Sequence, residues 1–193
     1  LAQELNVAPA SATKMIKRLT SRGLVEHTPY KGASLTEEGK FKALSVVRRH
    51  RLLETFLSQT LDLSSEQLHD EAERLEHALS GELEEAIASY LGNPTRDPHG
   101  HPIPNSNGEF PHENDLLLSE VPSGKFVTIT QVPDRNSEML AWLRKEEIIP
   151  GKRIEVIGKD KFTDNIIIEF DGSKKRLGLS AAKKVHVKLE VNA

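Results

Sequence analysis

Apolar residues recur at three- and four-residue intervals through the first ninety or so positions, then alternate with polar ones after about residue 115. The first spacing predicts helices and the second predicts strands. "LAQELNV" reads as a short amphipathic helix with Leu1, Ala2 and Leu5 on one face. Val7-Ala8-Pro9 then turns the chain, and Pro9 suits the start of the next helix. That helix, "ASATKMIKRLTSRG", has Ala12, Met15, Ile16 and Leu19 as its core side and Gly23 as its stop. "LVEHTPYKGASLT" reads as a two-stranded hairpin around Tyr30-Lys31-Gly32. A long helix is predicted over about 37–60, followed by a break at Leu61-Asp62-Leu63. A further helix is predicted over about 65–91, capped by Ser64 or Ser65.

Residues 92–115 are dense in Pro, Gly and Asn and form a loop and linker. Beyond them, "KFVTITQV", "KRIEVIGKD", "NIIIEF" and "HVKLEV" are predicted strands, with turns at Pro150-Gly151 and Asp171-Gly172. The amphipathic stretch "SEMLAWLRKEE" is a helix with Met139, Leu140, Trp142 and Leu143 toward the core. Short strands of this kind suggest a small barrel. The fold class is therefore α+β and multi-domain: a winged helix-turn-helix over 1–40, a helical unit with its linker over 41–115, and a barrel over 116–193. The chain opens without Met where the second helix of a winged helix should lie, so an earlier helix is expected ahead of Leu1.

The formal net charge of −3 hides an asymmetry. Residues 1–51 hold ten Lys/Arg against four Asp/Glu, and residues 52–93 hold one Arg against ten acids. This pattern suggests a polyanion partner for the first block and cations for the second, or simply two solvated faces of opposite sign. Ala10, Ser11, Thr13, Lys14, Lys17 and Arg18 share the outer face of the second helix. Small side chains there admit close approach to a DNA duplex, while Lys and Arg supply phosphate and guanine-edge contacts. A helical subdomain that binds protein is the alternative. The chain has no cysteine, so a disulfide framework, a thiolate metal site and a thiol nucleophile are excluded. No apolar run approaches the ~20 residues of a membrane span, no signal sequence opens the chain, and the cytoplasm is the expected compartment.

Residues 69–77, "HDEAERLEH", gather two histidines and four acids into nine positions. At about 100° per residue, His69, Glu73, Glu76 and His77 fall within a sector of roughly 100°. That sector lies beside an apolar stripe of Leu68, Ala72, Leu75, Leu79 and Leu83, whereas a purely solvated surface would place its charges opposite the core. On the preceding helix His50 and Glu54 are four apart and share a face. Carboxylate and imidazole donors without sulfur suit Mn(II), Fe(II), Co(II) or Zn(II). Holding Glu73 and Glu76 close also costs repulsion that a divalent cation relieves. From the residues alone, an ordinary charged helix remains the alternative. His99, His101 and His112 are weaker candidates, because spacing within a Pro-rich loop says little.

The stretches "APASATKMIKRLTSRGLV", "LTEEG", "RRHRLLETFL", "HDEAERLEHALS" and "DPHGHPIP" follow one another as in the diphtheria toxin repressor family of metal-dependent transcriptional regulators. The chain resembles that family over essentially its whole length, most specifically in "HRLLE" followed by "HDEA-x-x-x-EH". The resemblance implies a repressor that binds double-stranded operator DNA as a homodimer when loaded with Fe(II) or Mn(II), with two metal sites per subunit and metal-uptake genes as targets. It implies a helical metal-binding and dimerisation domain and an SH3-like β-barrel at the C-terminus. By position, His50, Glu54 and His69 match an ancillary site. Glu73, Glu76 and His77 match a primary site completed from the helix expected ahead of Leu1. Glu138 is the first match for a ligand from the barrel, with Asp134 behind it. The iron-type branch has Cys where this chain has Glu73, and a carboxylate there hardens the site toward Mn(II). Mn(II) is therefore expected, with Fe(II) as the rival. Neither a membrane nor a small-molecule substrate is implied. A metallohydrolase using Glu73 or Glu76 as general base is the distant alternative, against which stands the lack of an HExxH motif, a nucleophile elbow and a phosphate-binding glycine loop.

Overall fold

The computed structural model of the 193-residue chain describes residues 2–3, 5, 7–28, 32–61, 63–160 and 162–190, except the side chains of residues 65 and 66. The predicted hairpin tip at Tyr30-Lys31, together with Leu1 and Asp62, lies outside the described residues.

Helix α1 (Pro9–Ser21) opens with Pro in its first turn, where the missing N–H costs nothing. It closes in a Schellman turn: Gly23 takes a φ of 72°, its N–H donates to Thr20 O at 3.0 Å, and Leu24 N–H donates to Leu19 O at 3.0 Å. The helix expected before it is absent among the described residues. Ala2, Gln3 and Leu5 sit in turns, and Val7 N–H reaches Ala2 O at 3.0 Å. On the predicted core side of α1 only Ala12 is buried, while Ile16 and Leu19 are half-buried and Met15 is 38% exposed. Strands β1 (Val25–Thr28) and β2 (Gly32–Leu35) form the antiparallel wing, with Val25 opposite Leu35.

Helix α2 (Glu37–Thr60) has the predicted bounds. Thr36 caps it, accepting from Gly39 N–H at 3.0 Å and donating to Gly23 O at 2.7 Å. Gly39 lets the Leu24 carbonyl lie against the helix, where a Cβ would stand 2.0 Å from that oxygen. The "LTEEG" stretch is therefore the joint between the winged helix and the rest of the molecule.

The single helix predicted over 65–91 is two. Helix α3 (Ser65–Glu76) starts from a capping box in which Gln67 N–H donates to Ser64 Oγ and Ser64 N–H to Gln67 Oε1. Helix α4 (Gly81–Tyr90) starts from its own cap, Ser80, whose Oγ accepts from Leu83 N–H at 3.2 Å. The break turns two members of the predicted apolar stripe outward. Leu75 is 42% and Leu83 52% exposed, while Leu68, Ala72 and Leu79 are buried. Leu52, Leu53, Ala72, Leu79, Ile87, Ala88 and Ile103 form this unit's core. Arg48 Nε and Arg49 Nε clasp Glu84 at 2.9 and 2.8 Å, tying α4 to α2.

The last unit comprises β3 (Leu116–Leu117), β4 (Lys125–Gln131), α5 (Ser137–Lys145), β5 (Arg153–Asp160), β6 (Asn165–Phe170), β7 (Ser173–Gly178), α6 (Leu179–Ala182) and β8 (His186–Leu189). Its antiparallel sheet runs β3-β8-β4-β5-β6-β7 around a core that includes Val127, Ile129, Leu143, Ile154 and Ile168. Sequence reading missed β3, which is two residues long, and β7, "SKKRLG", in which only Leu177 is buried. Asp171 and Gly172, at φ 49° and 72°, make the predicted two-residue turn between β6 and β7. Leu140 and Leu143 of α5 are core, but Trp142 is 38% exposed, because the helix buries one stripe only.

The loop after α4 is sewn to this barrel. His99 O accepts from Val132 N–H at 2.9 Å, and Arg96 Nη1 reaches Gly100 O at 2.6 Å and Thr130 O at 3.1 Å. A Cβ at Gly100 would stand 1.8 Å from Thr130 O. Gly39→Ala and Gly100→Ala should each destabilise the protein by ~1–3 kcal/mol, since backbone must move to admit the methyl group. Urea unfolding of the two variants measures this, and wild-type midpoints would show that neither approach is tight.

Candidate metal centre

Helices α2 and α3 pack through Leu52, Leu53 and Ala72, with Leu79 just beyond α3 in the same core, and this packing places the polar residues beside that core face to face. Glu54 is 2% exposed. Its Oε1 faces His50 Nε2 at 3.1 Å and His69 Nδ1 at 3.0 Å, while His50 Nδ1 lies 2.8 Å from Glu76 Oε2. The two imidazoles meet edge to face, with centroids 4.9 Å apart. His50 therefore has a carboxylate at each ring nitrogen, an arrangement that only the imidazolium satisfies with two donors. Burial alone would lower its pKa, but hydrogen bonds and charge from Glu54 and Glu76 outweigh this and raise it to about 8. Glu54 is the mirror case: burial would raise its pKa, and the two histidines hold it down at about 2. Its second oxygen, Oε2, is buried with no hydrogen-bond partner among the described residues.

His50, Glu54 and His69 offer ligand atoms within 4.8 Å of one another. Glu76 joins them through His50 and is itself buried, and its Oε1 lies 3.5 Å from His77 Nε2. Glu73 and His77 stand on the exposed side of the cluster, the His77 side chain being 72% exposed. The sector read from the helical wheel thus splits, with His69 and Glu76 turned to α2 and Glu73 and His77 turned out.

The structure places Glu138 on the first turn of α5, exposed and in neither group of candidate ligands among the described residues. Asp134, on the connection from β4 to α5, is brought in instead. A cleft of about 670 Å³ between the helices and the barrel is lined by Glu54, His69, Asp70, His99 and Asp134 among others. A second group with ligand atoms within 4.8 Å consists of Asp97, His101 and Asp134. His99 is buried, and burial lowers its pKa more than the nearby Asp97 and Glu54 raise it, so it stands neutral and able to donate a lone pair. Asp97 carried no distinguishing spacing in the sequence, although "DPHGHPIP" marked the loop, and Asp134 entered only through the resemblance, behind Glu138.

On α1, Ala10, Ser11, Thr13, Lys14, Lys17 and Arg18 are all exposed, and the three basic side chains have no ion-pair partner among the described residues. Thr13 Oγ1 donates to Pro9 O at 3.0 Å.

Fold and site together define a class: DNA-binding regulators in which a winged helix is joined to a helical unit rich in candidate metal ligands. The description "Iron dependent repressor, N-terminal DNA binding domain" matches residues 1–33, "Iron dependent repressor, metal binding and dimerisation domain" matches residues 36–105, and "FeoA domain" matches residues 116–189. The iron-dependent repressor IdeR of Mycobacterium tuberculosis is 29% identical over 168 residues, which are 81% of this chain and 73% of its own. A manganese-dependent transcriptional repressor, solved in complex with manganese, is 36% identical with a TM-score of 0.89, over 98% of this chain and 88% of its own. ScaR, solved with bound Cd2+, is 32% identical with a TM-score of 0.81, over 97% and 88%. The chain belongs to the diphtheria toxin repressor family of metal-dependent transcriptional repressors, whose members are regulators and not enzymes.

Ligation requires neutral imidazole. With His50 protonated below about 8, divalent-cation affinity should fall about tenfold per pH unit from pH 8 to pH 6 and level off above. Calorimetric titration of chelator-treated protein with Mn(II) across that range checks this, and a flat profile would remove His50 from the ligand set.

Proposed function

We propose that this chain is an Mn(II)-activated repressor that binds operator DNA as a homodimer and controls metal-uptake genes. One observation carries the reading: a buried carboxylate, Glu54, holds one oxygen without a hydrogen-bond partner inside a cluster of nitrogen and oxygen donors. His50, Glu54 and His69 would hold one ion, and Glu76, at the other ring nitrogen of His50, would join Glu73 and His77 around a second on the exposed side. A divalent cation supplies there the positive charge that crowded carboxylates otherwise lack. The donor set is free of sulfur, which favours Mn(II); the iron-dependent relatives make Fe(II) the second reading.

The rest is done by the chain. Helix α2 is a continuous rod of 24 residues, about 36 Å long. Thr36 and Gly39 fasten the winged helix to one end, and His50 and Glu54 stand further along it. Drawing α3 onto α2 thereby fixes the element that carries the reading helix, with Lys14, Lys17 and Arg18 set for the duplex. The exposed Leu83, Ala86 and Tyr90 form one stripe along α4, the surface proposed for a second copy. The division 1–40, 41–115 and 116–193 follows from the same reading.

Mobility shifts on promoter fragments test it. Mn(II) should tighten binding roughly 5- to 150-fold, with Fe(II) less effective, and Glu73→Ala or His77→Ala should lose most of that gain. Binding that ignores metal would sink the switch. Lys14→Ala and Arg18→Ala should each weaken DNA binding about tenfold or more at unchanged metal affinity. An equal loss of metal affinity would show that the two functions are not separate.

A further inference from the structure

We propose that the open edge of β7 takes up an extended acidic peptide segment as an added strand. In the order of the barrel sheet β7 stands last, with β6 on one side and no strand on the other among the described residues. The opposite end of the sheet is β3, two residues long and followed at once by the short helical turn Leu118–Glu120. β7 has six residues and is the longer template. Its two-residue turn with β6 makes Phe170 and Ser173 the closing pair. Such a pair exchanges both backbone bonds, and bonded and non-bonded pairs then alternate along the hairpin. Ser173, Lys175 and Leu177 therefore bond to β6, whereas Lys174 and Arg176 turn N–H and C=O to the open side. No backbone partner meets those groups there among the described residues.

Charge says which strand fits. Residues 172–189 hold six Lys/Arg and no Asp/Glu. Lys174 and Arg176 are exposed, and so are Lys183 and Lys184 just past α6, which packs against β7. Glu169 Oε2 stands 3.7 Å from Lys174 Nζ, and Asp160 feels the charge of Arg176, but pairings this open to solvent hold little. Lys183 and Lys184 have no ion-pair partner among the described residues. The edge also lies outside both groups of candidate metal ligands.

Three occupants can be weighed on these facts. A second copy of β7 would set Lys174 and Arg176 against like charges, which is how basic edge strands discourage self-pairing. Duplex DNA satisfies the charges but leaves the outward carbonyls of Lys174 and Arg176 facing phosphate oxygens that have no proton to give. An extended peptide offers N–H and C=O in alternation, and acidic side chains on it meet the lysines and arginine. Phe162 adds an apolar contact: it is 99% exposed on the turn between β5 and β6, beyond the end of β6 where Asn165 pairs with Gly178.

The test follows backbone amide resonances of the full chain as an acetylated octapeptide alternating Glu and Val is added. Shifts centred on residues 173–177, and a Kd that rises with salt, are expected. Lys174→Gln should weaken binding about threefold, the worth of one exposed charge pair. Lys174→Pro should weaken it about tenfold further by removing an outward donor, at a place on an edge strand where proline leaves the pairing with β6 intact. If the proline variant does not fold by circular dichroism, a fully N-methylated octapeptide gives the same reading on the unaltered chain and should not bind. Equal binding of the methylated peptide would overturn the proposal and reduce the edge to a charged patch. So would unmoved resonances at 173–177 with millimolar octapeptide, or a control duplex that shifts them more than the peptide does.

Discussion

The middle of the molecule depends on the carboxylate of Glu54. Leu52, Leu53 and Leu57 drive this stretch of α2 into the core, and Glu54 is carried in with them. A charge taken out of water must be met by partners of opposite sign or by an ion, because the desolvation penalty is several kcal/mol. His50 on the same helix and His69 on the next supply that compensation at one oxygen, and the other oxygen has no hydrogen-bond partner among the described residues. The result is a contact between α2 and α3 whose strength depends on what sits among the donors. Apolar packing positions the two helices, and the polar cluster tunes how firmly they are held.

In the proposed repressor that tuning reaches DNA through covalent and close-packed connections. The Thr36 cap and the Gly39 approach leave little slack between α2 and the winged helix, since a single added methyl would collide with the Leu24 carbonyl. At the far side Arg48 and Arg49 bind Glu84, so α4 and its exposed stripe move with the same rod. Reading helix, metal donors and the surface proposed for a second copy therefore share one rigid element, which suits a protein whose family couples metal to DNA.

The barrel is part of this arrangement. Loop residues 96–102 pair with the end of β4, and Gly100 permits an approach that no other residue could make. Asp134 is delivered to the cleft by that docking, not by the helix that follows it. Glu138, one turn into α5, is directed to solvent because Asn136 starts the helix and Leu140 and Leu143 set its buried face.

Local chemistry was enough to read the winged helix, the bounds of α2, the donors on α2 and α3 as candidates, and four of the six barrel strands. Pro9, Gly23, Thr36 and Ser64 act on their own neighbours, and periodicity exposes any element that buries one face. The break at Ser80 was written in the same alphabet but was masked by apolar residues that continue the helical spacing across it. Other features had no local signature. The separation of His69 and Glu76 from Glu73 and His77 follows from the packing of α3 on α2, and β7 owes its place to backbone pairing with β6. Asp97 and Asp134 lie far apart in the chain, and only the docking of loop against strand brings them to one histidine. The sequence determined which side chains could bind a cation; long-range packing decided which of them face one another, because contacts between distant segments leave no period in the chain.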